Sequence, residues 1–143
     1  MIVRPWATFM ADFPDDQIED GHDIVRFGGL GVTEAISEIL RKIGCTVSEP
    51  IYANEHGWEL DVSINSRTIW CQVTDIDEFY LCFRATSWLD TILKRHNPDY
   101  VETLEKLHDA LKSDPRFNQI QWFALDRKGC MGDEACNEPV TRP

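Results

Sequence analysis

The sequence predicts an α+β protein in which amphipathic helices cover one face of an antiparallel sheet. Residues 57–85 alternate apolar and polar side chains almost without interruption, which is typical of strands with one buried face. Two other segments carry apolar residues at helical spacing, and 143 residues is about the size of one domain. Helices with one apolar face need a sheet to bury it. We therefore expect a two-layer sandwich with the order α-β-β-β-α-α-β.

The first helix is predicted over residues 33–43, directly after the glycine-rich stretch GGLG. Thr33 is the expected N-cap, Glu34 lies in the first turn, and Gly44 is expected to end the helix. Residues 1–31 are the least readable part, with short strands at 9–13 and 24–27. The predicted apolar stripe of the helix consists of Val32, Ile36, Ile39, Leu40 and Ile43.

The three central strands have a register that can be counted from their turns. Asn65 and Ser66 form a two-residue turn, so Leu60 lies opposite Cys71. A three-residue loop, Asp75-Ile76-Asp77, then places Leu81 opposite Cys71 and Phe79 opposite Val73. A shift by one residue would turn every apolar side chain outward. The face expected under the helices consists of Trp58, Leu60, Val62, Ile69, Cys71, Val73, Phe79, Leu81 and Phe83.

The second half of the chain is expected to add two helices and one strand. A short helix begins at Ser87 and continues to about Lys94, and a longer one follows with Asn97 as cap and Pro98 at its first position. Residues 118–126 form a strand and 127–143 a flexible tail, so residues 1–126 form a single domain. The apolar face of the longer helix consists of Tyr100, Val101, Leu104, Leu107 and Leu111.

The charge of the chain excludes some classes of partner. With 14 basic and 25 acidic residues the net charge is −11, so a basic patch for nucleic acid or an anionic membrane is not expected. A basic protein partner fits this charge, although solubility alone also explains it. No membrane span is predicted. Three of the five cysteines lie within apolar patterns, which favours a reducing cytoplasm.

The order helix, three strands, helix, strand resembles the core of the PD-(D/E)xK nucleases. The resemblance implies that Glu38 would be the helix acid and Asp61 a strand acid around Mg²⁺. Neither TIWCQVT nor FYLCFRA contains the acid-x-lysine that these enzymes need. We therefore expect no nuclease activity.

Other candidate sites have simpler explanations. GGLG before a helix is compatible with phosphate binding, but it lacks the spacing of a dinucleotide or P-loop motif. Cys130 and Cys136 do not have the spacing of a zinc site. We expect no cofactor, no metal and no catalytic set, although an enzyme built from His56, Glu59, Asp61 and Tyr80 is kept as an alternative.

The side of the strands that faces away from the helices is the strongest candidate for a binding site. It combines exposed aromatic residues and an arginine with acids, the composition of interface hot spots. The small acidic profile is similar to that of immunity proteins and of secretion chaperones. We expect a non-enzymatic module that binds a protein partner, with a homodimer left open. The predicted partner-binding residues are Glu59, Asp61, Trp70, Gln72, Tyr80 and Arg84.

Overall fold

The structure is a computed structural model that describes residues 1–87 and 95–143. Within these residues there are two α-helices, Leu30–Ile43 (α1) and Pro98–Ser113 (α2), and one turn of 3-10 helix, Asn54–His56. The strands of the described part are Ile2–Val3 (β1), Trp6–Ala11 (β2), Ile18–Asp20 (β3), Asp23–Arg26 (β4), Thr46–Val47 (β5), Ile51–Tyr52 (β6), Trp58–Ile64 (β7), Arg67–Asp75 (β8), Phe79–Ala85 (β9), Phe117–Leu125 (β10), Met131–Cys136 (β11) and Val140–Thr141 (β12).

One antiparallel sheet of eight strands dominates the fold. Its strand order is β11-β10-β2-β9-β8-β7-β5, and β6 also pairs with β7. Two small sheets, β1–β12 and β3–β4, lie outside it. An antiparallel sheet with two helices is the α+β class that the sequence predicts. The predicted order is incomplete, because it contains none of β1–β6 and no strand beyond residue 126.

The β7–β8 hairpin has the predicted register. Ile64 pairs with Arg67 across the Asn65-Ser66 turn, and Leu60 pairs with Cys71. Both turn residues adopt the positive φ values that a tight two-residue hairpin turn requires. The turn therefore sets the pairing of the whole hairpin.

The β8–β9 hairpin differs from the prediction by two residues. Leu81 pairs with Val73 rather than Cys71, and the loop is Ile76-Asp77-Glu78, because Asp75 continues β8 and pairs with Phe79. A shift of two residues leaves each side chain on its predicted face, since side chains alternate with a period of two. The prediction of which residues face the core is therefore confirmed, whereas the predicted cross-strand neighbours of β8 and β9 are wrong.

The core lies between this sheet and the helices. Helix α1 contacts β7, and α2 contacts β8 and β10. Almost all of the predicted sheet residues are buried, whereas Phe79 is half-buried. The predicted stripe of α1 is buried at Val32, Ile36 and Leu40 and half-buried at its other two positions. All five predicted apolar residues of α2 are buried.

Helix α1 begins three residues earlier than predicted. Its N-cap is Gly29, and Thr33 is buried within the first turns, where its hydroxyl donates to the Gly29 carbonyl at 2.7 Å. The amides of Gly29 and Gly31 donate to the carboxylate of Asp16 at 2.8 and 2.7 Å. A distant acid therefore replaces the local cap, which a search for a neighbouring Ser or Thr cannot detect. Gly44 ends the helix with a positive φ, as predicted.

Helix α2 begins as predicted, with Asn97 as cap and Pro98 in the first turn. The Asn97 side-chain oxygen accepts the amides of Asp99 and Tyr100 at 3.0 and 3.2 Å. The short helix predicted from Ser87 to about Lys94 lies almost wholly outside the described residues. No helix in the described ranges is both long enough and apolar enough to cross a bilayer.

The C-terminal residues differ from the expected loose tail. Strand β11 pairs with β10, and β12 pairs with β1. The Arg4 guanidinium donates to the Glu138 carbonyl at 3.0 Å and to the Thr141 hydroxyl at 2.8 Å. Because these contacts involve backbone and charged groups, the segment needs no apolar alternation, which is the pattern that sequence reasoning detects.

Candidate functional site

All six predicted partner-binding residues lie on the side of the sheet that faces away from the helices. They alternate along β7, β8 and β9 with the buried residues, so the pleat of each strand turns them to the opposite side. Strand β2 adds Trp6 to the same side, next to β9. We call this surface the outer face and define it by Glu59, Asp61, Trp70, Gln72, Tyr80, Arg84 and Trp6.

The shifted register changes which of these residues are neighbours. The predicted register, with Leu81 opposite Cys71, would place Cys82 beside Trp70; the observed row is Asp61–Trp70–Arg84. Trp70 therefore lies directly between a carboxylate on one strand and a guanidinium on the other. Tyr80, predicted to lie beside Gln72, instead pairs with Thr74.

The outer face is partly covered by its own side chains. Asp61 and Arg84 are exposed, whereas Trp70 and Tyr80 are half-buried. The Gln72 amide nitrogen donates to a Glu59 carboxylate oxygen at 3.3 Å, so these two polar groups fix each other across the strands. The surface thus combines two half-buried aromatic rings with the exposed charges of Asp61 and Arg84.

Cys82 occupies the centre of this side of the sheet but is fully buried. Burial raises the pKa of its thiol to about 12, so the thiol stays protonated at neutral pH and is not a nucleophile. Its neighbour on β2 is Trp6, and Trp6 in turn pairs with Phe123 of β10. Trp6, Cys82 and Phe123 thus lie side by side on the outer side of the sheet, and Cys82 and Phe123 are buried there.

Trp6 was missed because the segment WATFMA is apolar on both sides of its strand. Its alternation is therefore masked, and the predicted strand begins only at Phe9. In the sequence, the only hint of this position is a tryptophan directly after Pro5. In the structure, β2 buries Ala7, Thr8 and Phe9, so it has buried residues on both sides. The Trp6 indole N–H is buried without an acceptor among the described residues.

The residues of the enzyme alternative do not form a cleft. His56 lies in the 3-10 turn and is exposed, and its Nε2 lies 3.8 Å from a Glu55 carboxylate oxygen. Cavities of about 350, 370 and 430 Å³ are present in the described part, and their linings do not include His56, Glu59, Asp61 or Tyr80. General acid–base chemistry needs groups that converge on a bound substrate, and none of these three cavities brings the four residues together.

The two acids of the nuclease resemblance lie on opposite sides of the sheet. Glu38 is exposed on α1, which packs against the buried side of β7. Asp61 belongs to the outer face of the same strand. The sheet therefore separates the two carboxylates, and they cannot share a metal ion. Among the described residues no group of three or more His, Cys, Asp or Glu is placed to hold a metal.

The glycine-rich stretch before α1 already holds an anionic group of the chain itself. The carboxylate of Asp16 accepts the amides that a phosphate would use. A Cβ at Gly28 would lie 2.9 Å from a carboxylate oxygen of Asp75 and 3.2 Å from one of Asp16, so a second acid approaches the same point. Two carboxylates at this position disfavour a phosphate.

Cys130 and Cys136 lie near opposite ends of β11. Strand β11 shifts its register against β10, with Met131 opposite Leu125 and Cys136 opposite Trp122. A structural zinc site takes four ligands, and in the described part no group of three or more His, Cys, Asp or Glu is placed to complete one around these thiols.

Comparison of the chain with protein-family models, curated proteins and solved structures finds no match.

Proposed function

We propose that this chain is a non-enzymatic binding protein whose outer face holds a basic protein partner. An immunity-type inhibitor of a basic toxin or effector is the sharpest form of the proposal. The observation that carries it is the row Asp61–Trp70–Arg84, in which a half-buried tryptophan lies between two exposed charges of opposite sign. Tryptophan and arginine are the residue types most enriched among interface hot spots.

The arrangement of the layers supports this use of the outer face. We infer a two-layer sandwich, because α1 and α2 contact the sheet from the side that carries the buried residues. Among the described residues on the opposite side, Asp61 and Arg84 are exposed and accessible to a partner, whereas Thr8, Cys82 and Phe123 are buried. Strand β2 lies within the sheet rather than across the outer face and contributes the half-buried Trp6 to it.

Charge contributes less to this surface than the composition suggests. Glu59 and Asp61 are balanced in part by Arg84, and the Glu59 carboxylate is engaged by Gln72. We infer that the outer face supplies mainly aromatic contact and orientation. All five cysteines are free, which fits the proposed location in a reducing cytoplasm.

A secretion chaperone or adaptor is the broader form of the proposal. It would use the same surface as an inhibitor and would differ from it only in the kind of partner that it binds. An inhibitor holds one folded toxin, whereas a chaperone holds an incompletely folded client. The binding measurement below therefore tests the surface for both forms of the proposal.

Replacing Trp70 with alanine tests the proposal once the partner has been captured and purified. We expect binding to weaken by about 2 kcal/mol or more, roughly thirtyfold, as for other aromatic hot spots. Because Trp70 is half-buried, the loss of stability should be smaller than that for a core leucine. Lys112→Ala, at an exposed position of α2, is the matched control and should bind as the wild type does.

The opposite pattern would contradict the proposal. If Trp70→Ala lowers the melting temperature by several degrees while its folded fraction keeps full affinity, the outer face is a second core and not a partner site.

A further inference from the structure

The β3–β4 hairpin is a two-stranded sheet whose apolar side chains are partly exposed to solvent. It forms no ladder with the main sheet. Ile18, Ile24 and Val25 are 43%, 44% and 59% exposed, although isoleucine and valine are among the residues most often buried. A two-stranded hairpin is marginally stable in water without further packing. The hairpin therefore keeps apolar surface that its own packing does not bury.

The pairing at the tip of the hairpin also works against its own stability. Asp20 lies directly opposite Asp23, across the turn formed by Gly21 and His22. Like charges at directly paired positions destabilise an antiparallel pair. A cation placed between these two carboxylates would relieve this repulsion.

The surroundings of the hairpin concentrate the negative charge of the molecule. Residues 12–26 contain six acids and one arginine, and residues 75–78 contain three more acids. The two segments meet where Asp16 and Asp75 approach Gly28. The loop between β8 and β9 adds another exposed apolar residue, Ile76, at 64%. Apolar and acidic groups thus share one end of the molecule.

These features select one class of occupant. A second copy of the chain would place acid against acid in a symmetric contact, which is unfavourable. Nucleic acid and anionic membranes are repelled by the same charge. A protein surface that alternates lysine or arginine with apolar residues complements both the carboxylates and the exposed isoleucines and valine.

We propose that the β3–β4 hairpin is a docking surface for a basic protein, with Asp20 and Asp23 receiving its cationic side chains and Ile18, Ile24 and Val25 its apolar ones. The class of partner rests on the proposed function, but the surface is a different one. The hairpin steers and holds the basic partner, while the outer face supplies aromatic contact.

The test uses defined peptides and the full-length chain labelled with ¹⁵N. The probes are an eight-residue peptide of alternating lysine and valine, one of alternating lysine and serine, and one of alternating glutamate and valine. We expect the lysine–valine peptide to bind at least about fivefold more tightly than the lysine–serine peptide, because only the first covers apolar surface. The largest amide shifts should fall within residues 18–26, and the glutamate peptide should cause none.

Variants separate the two contributions to docking. In the variant that combines Ile24→Ser with Val25→Ser, the lysine–valine and lysine–serine peptides should bind about equally well, because the apolar contact is lost. Asp20→Asn combined with Asp23→Asn should weaken both lysine peptides together. Amide shifts outside the hairpin report whether each variant is folded.

Three results would each overturn the proposal. The first is equal binding of the two lysine peptides, and the second is that the largest amide shifts fall outside residues 18–26. The third is an unchanged preference for the lysine–valine peptide in the Ile24→Ser, Val25→Ser variant. Trp70→Ala should leave peptide binding at the hairpin unchanged. If that variant also keeps full affinity for the captured partner while the hairpin shifts persist, the outer-face proposal fails and the hairpin proposal stands.

Discussion

Asp16 and Asp75 show how single carboxylates shape the start of α1. Asp16 accepts two amides at the helix N-terminus, where a negative charge is favoured by the helix dipole. Asp75 reaches the same point from β8. Burial, together with the negative charges of Asp15 and Asp16, raises the pKa of the Asp75 carboxyl above its ordinary value.

The raised pKa of Asp75 predicts how folding stability depends on pH. A raised folded-state pKa means that the neutral form fits the folded protein better. Its stabilising contribution is therefore fully present below the ordinary pKa of 3.8 and is lost as the pH rises through the folded value. Asp75→Asn should accordingly be more stable than the wild type at pH 7, and this difference should vanish near pH 3. Urea denaturation across this pH range measures it.

The exposed neighbour Asp77 provides the control for this prediction. Asp77→Asn removes the same charge two residues away, from an exposed position in the β8–β9 loop. If it reproduces the stabilisation seen for Asp75→Asn, the effect comes from net charge and not from the half-buried position of Asp75.

Leu60 and Leu81 test the assignment of the sheet faces. Both side chains are fully buried beneath the helices, so truncation of either one to alanine should lower the free energy of unfolding by about 2–5 kcal/mol. Ile76→Ala, at an exposed loop position, should change it by less than about 0.5 kcal/mol. Similar losses for Leu60 and Ile76 in urea denaturation would contradict the face assignment.

At the scale of elements, strand β11 and the segment after it tie the C-terminus to the rest of the fold. His108 is buried on α2, where its Nδ1 accepts the Trp122 indole N–H at 3.0 Å, and its Nε2 lies 3.3 Å from a Glu138 carboxylate oxygen. Arg142 and Glu105 form a two-point ion pair at 2.7 and 2.8 Å. The segment thus contacts both β10 and α2.

Truncation of the chain after residue 126 should therefore be destabilising. Removal of β11 exposes the backbone edge of β10, and removal of residues 137–143 eliminates the contacts with His108, Glu105 and Arg4. We expect the melting temperature to fall by at least several degrees. A truncated chain that melts together with the full-length protein in a calorimetric scan would support a loose tail instead.

The elements also show what the sequence can and cannot specify. The Asn65-Ser66 turn and the alternation on either side of it are local, so the β7–β8 register was predictable in full. The β8–β9 loop permits two registers of equal parity, and alternation cannot distinguish them. Strand β2 becomes central only through β9 and β10, which are far away in sequence. The predicted outer-face residues lie on one side because the alternation of side chains along each strand can be read from the local sequence. Trp6 joins them only through the pairing of β2 with β9, which are far apart in sequence.

At the scale of the whole molecule, aromatic surface and negative charge lie in different places. The outer face carries the row around Trp70, while residues 12–26 and 75–78, which include the β3–β4 hairpin and the β8–β9 loop, carry nine acids against one arginine. Charged surfaces mainly raise association rates and select partners, whereas buried aromatic contacts slow dissociation. The two surfaces are therefore suited to successive steps of binding to one basic protein.

Hydroxyl-radical footprinting of the complex tests most directly whether the outer face is the partner site. Radicals oxidise accessible aromatic and sulfur-containing side chains, so the oxidation rates of Trp70 and Tyr80 can be compared in the free chain and in the complex with the purified partner. Met1, 55% exposed and outside both proposed surfaces, is the internal control. The proposal predicts that Trp70 and Tyr80 oxidise markedly more slowly in the complex while the rate at Met1 is unchanged. Unchanged rates at Trp70 and Tyr80 in a fully formed complex would contradict it.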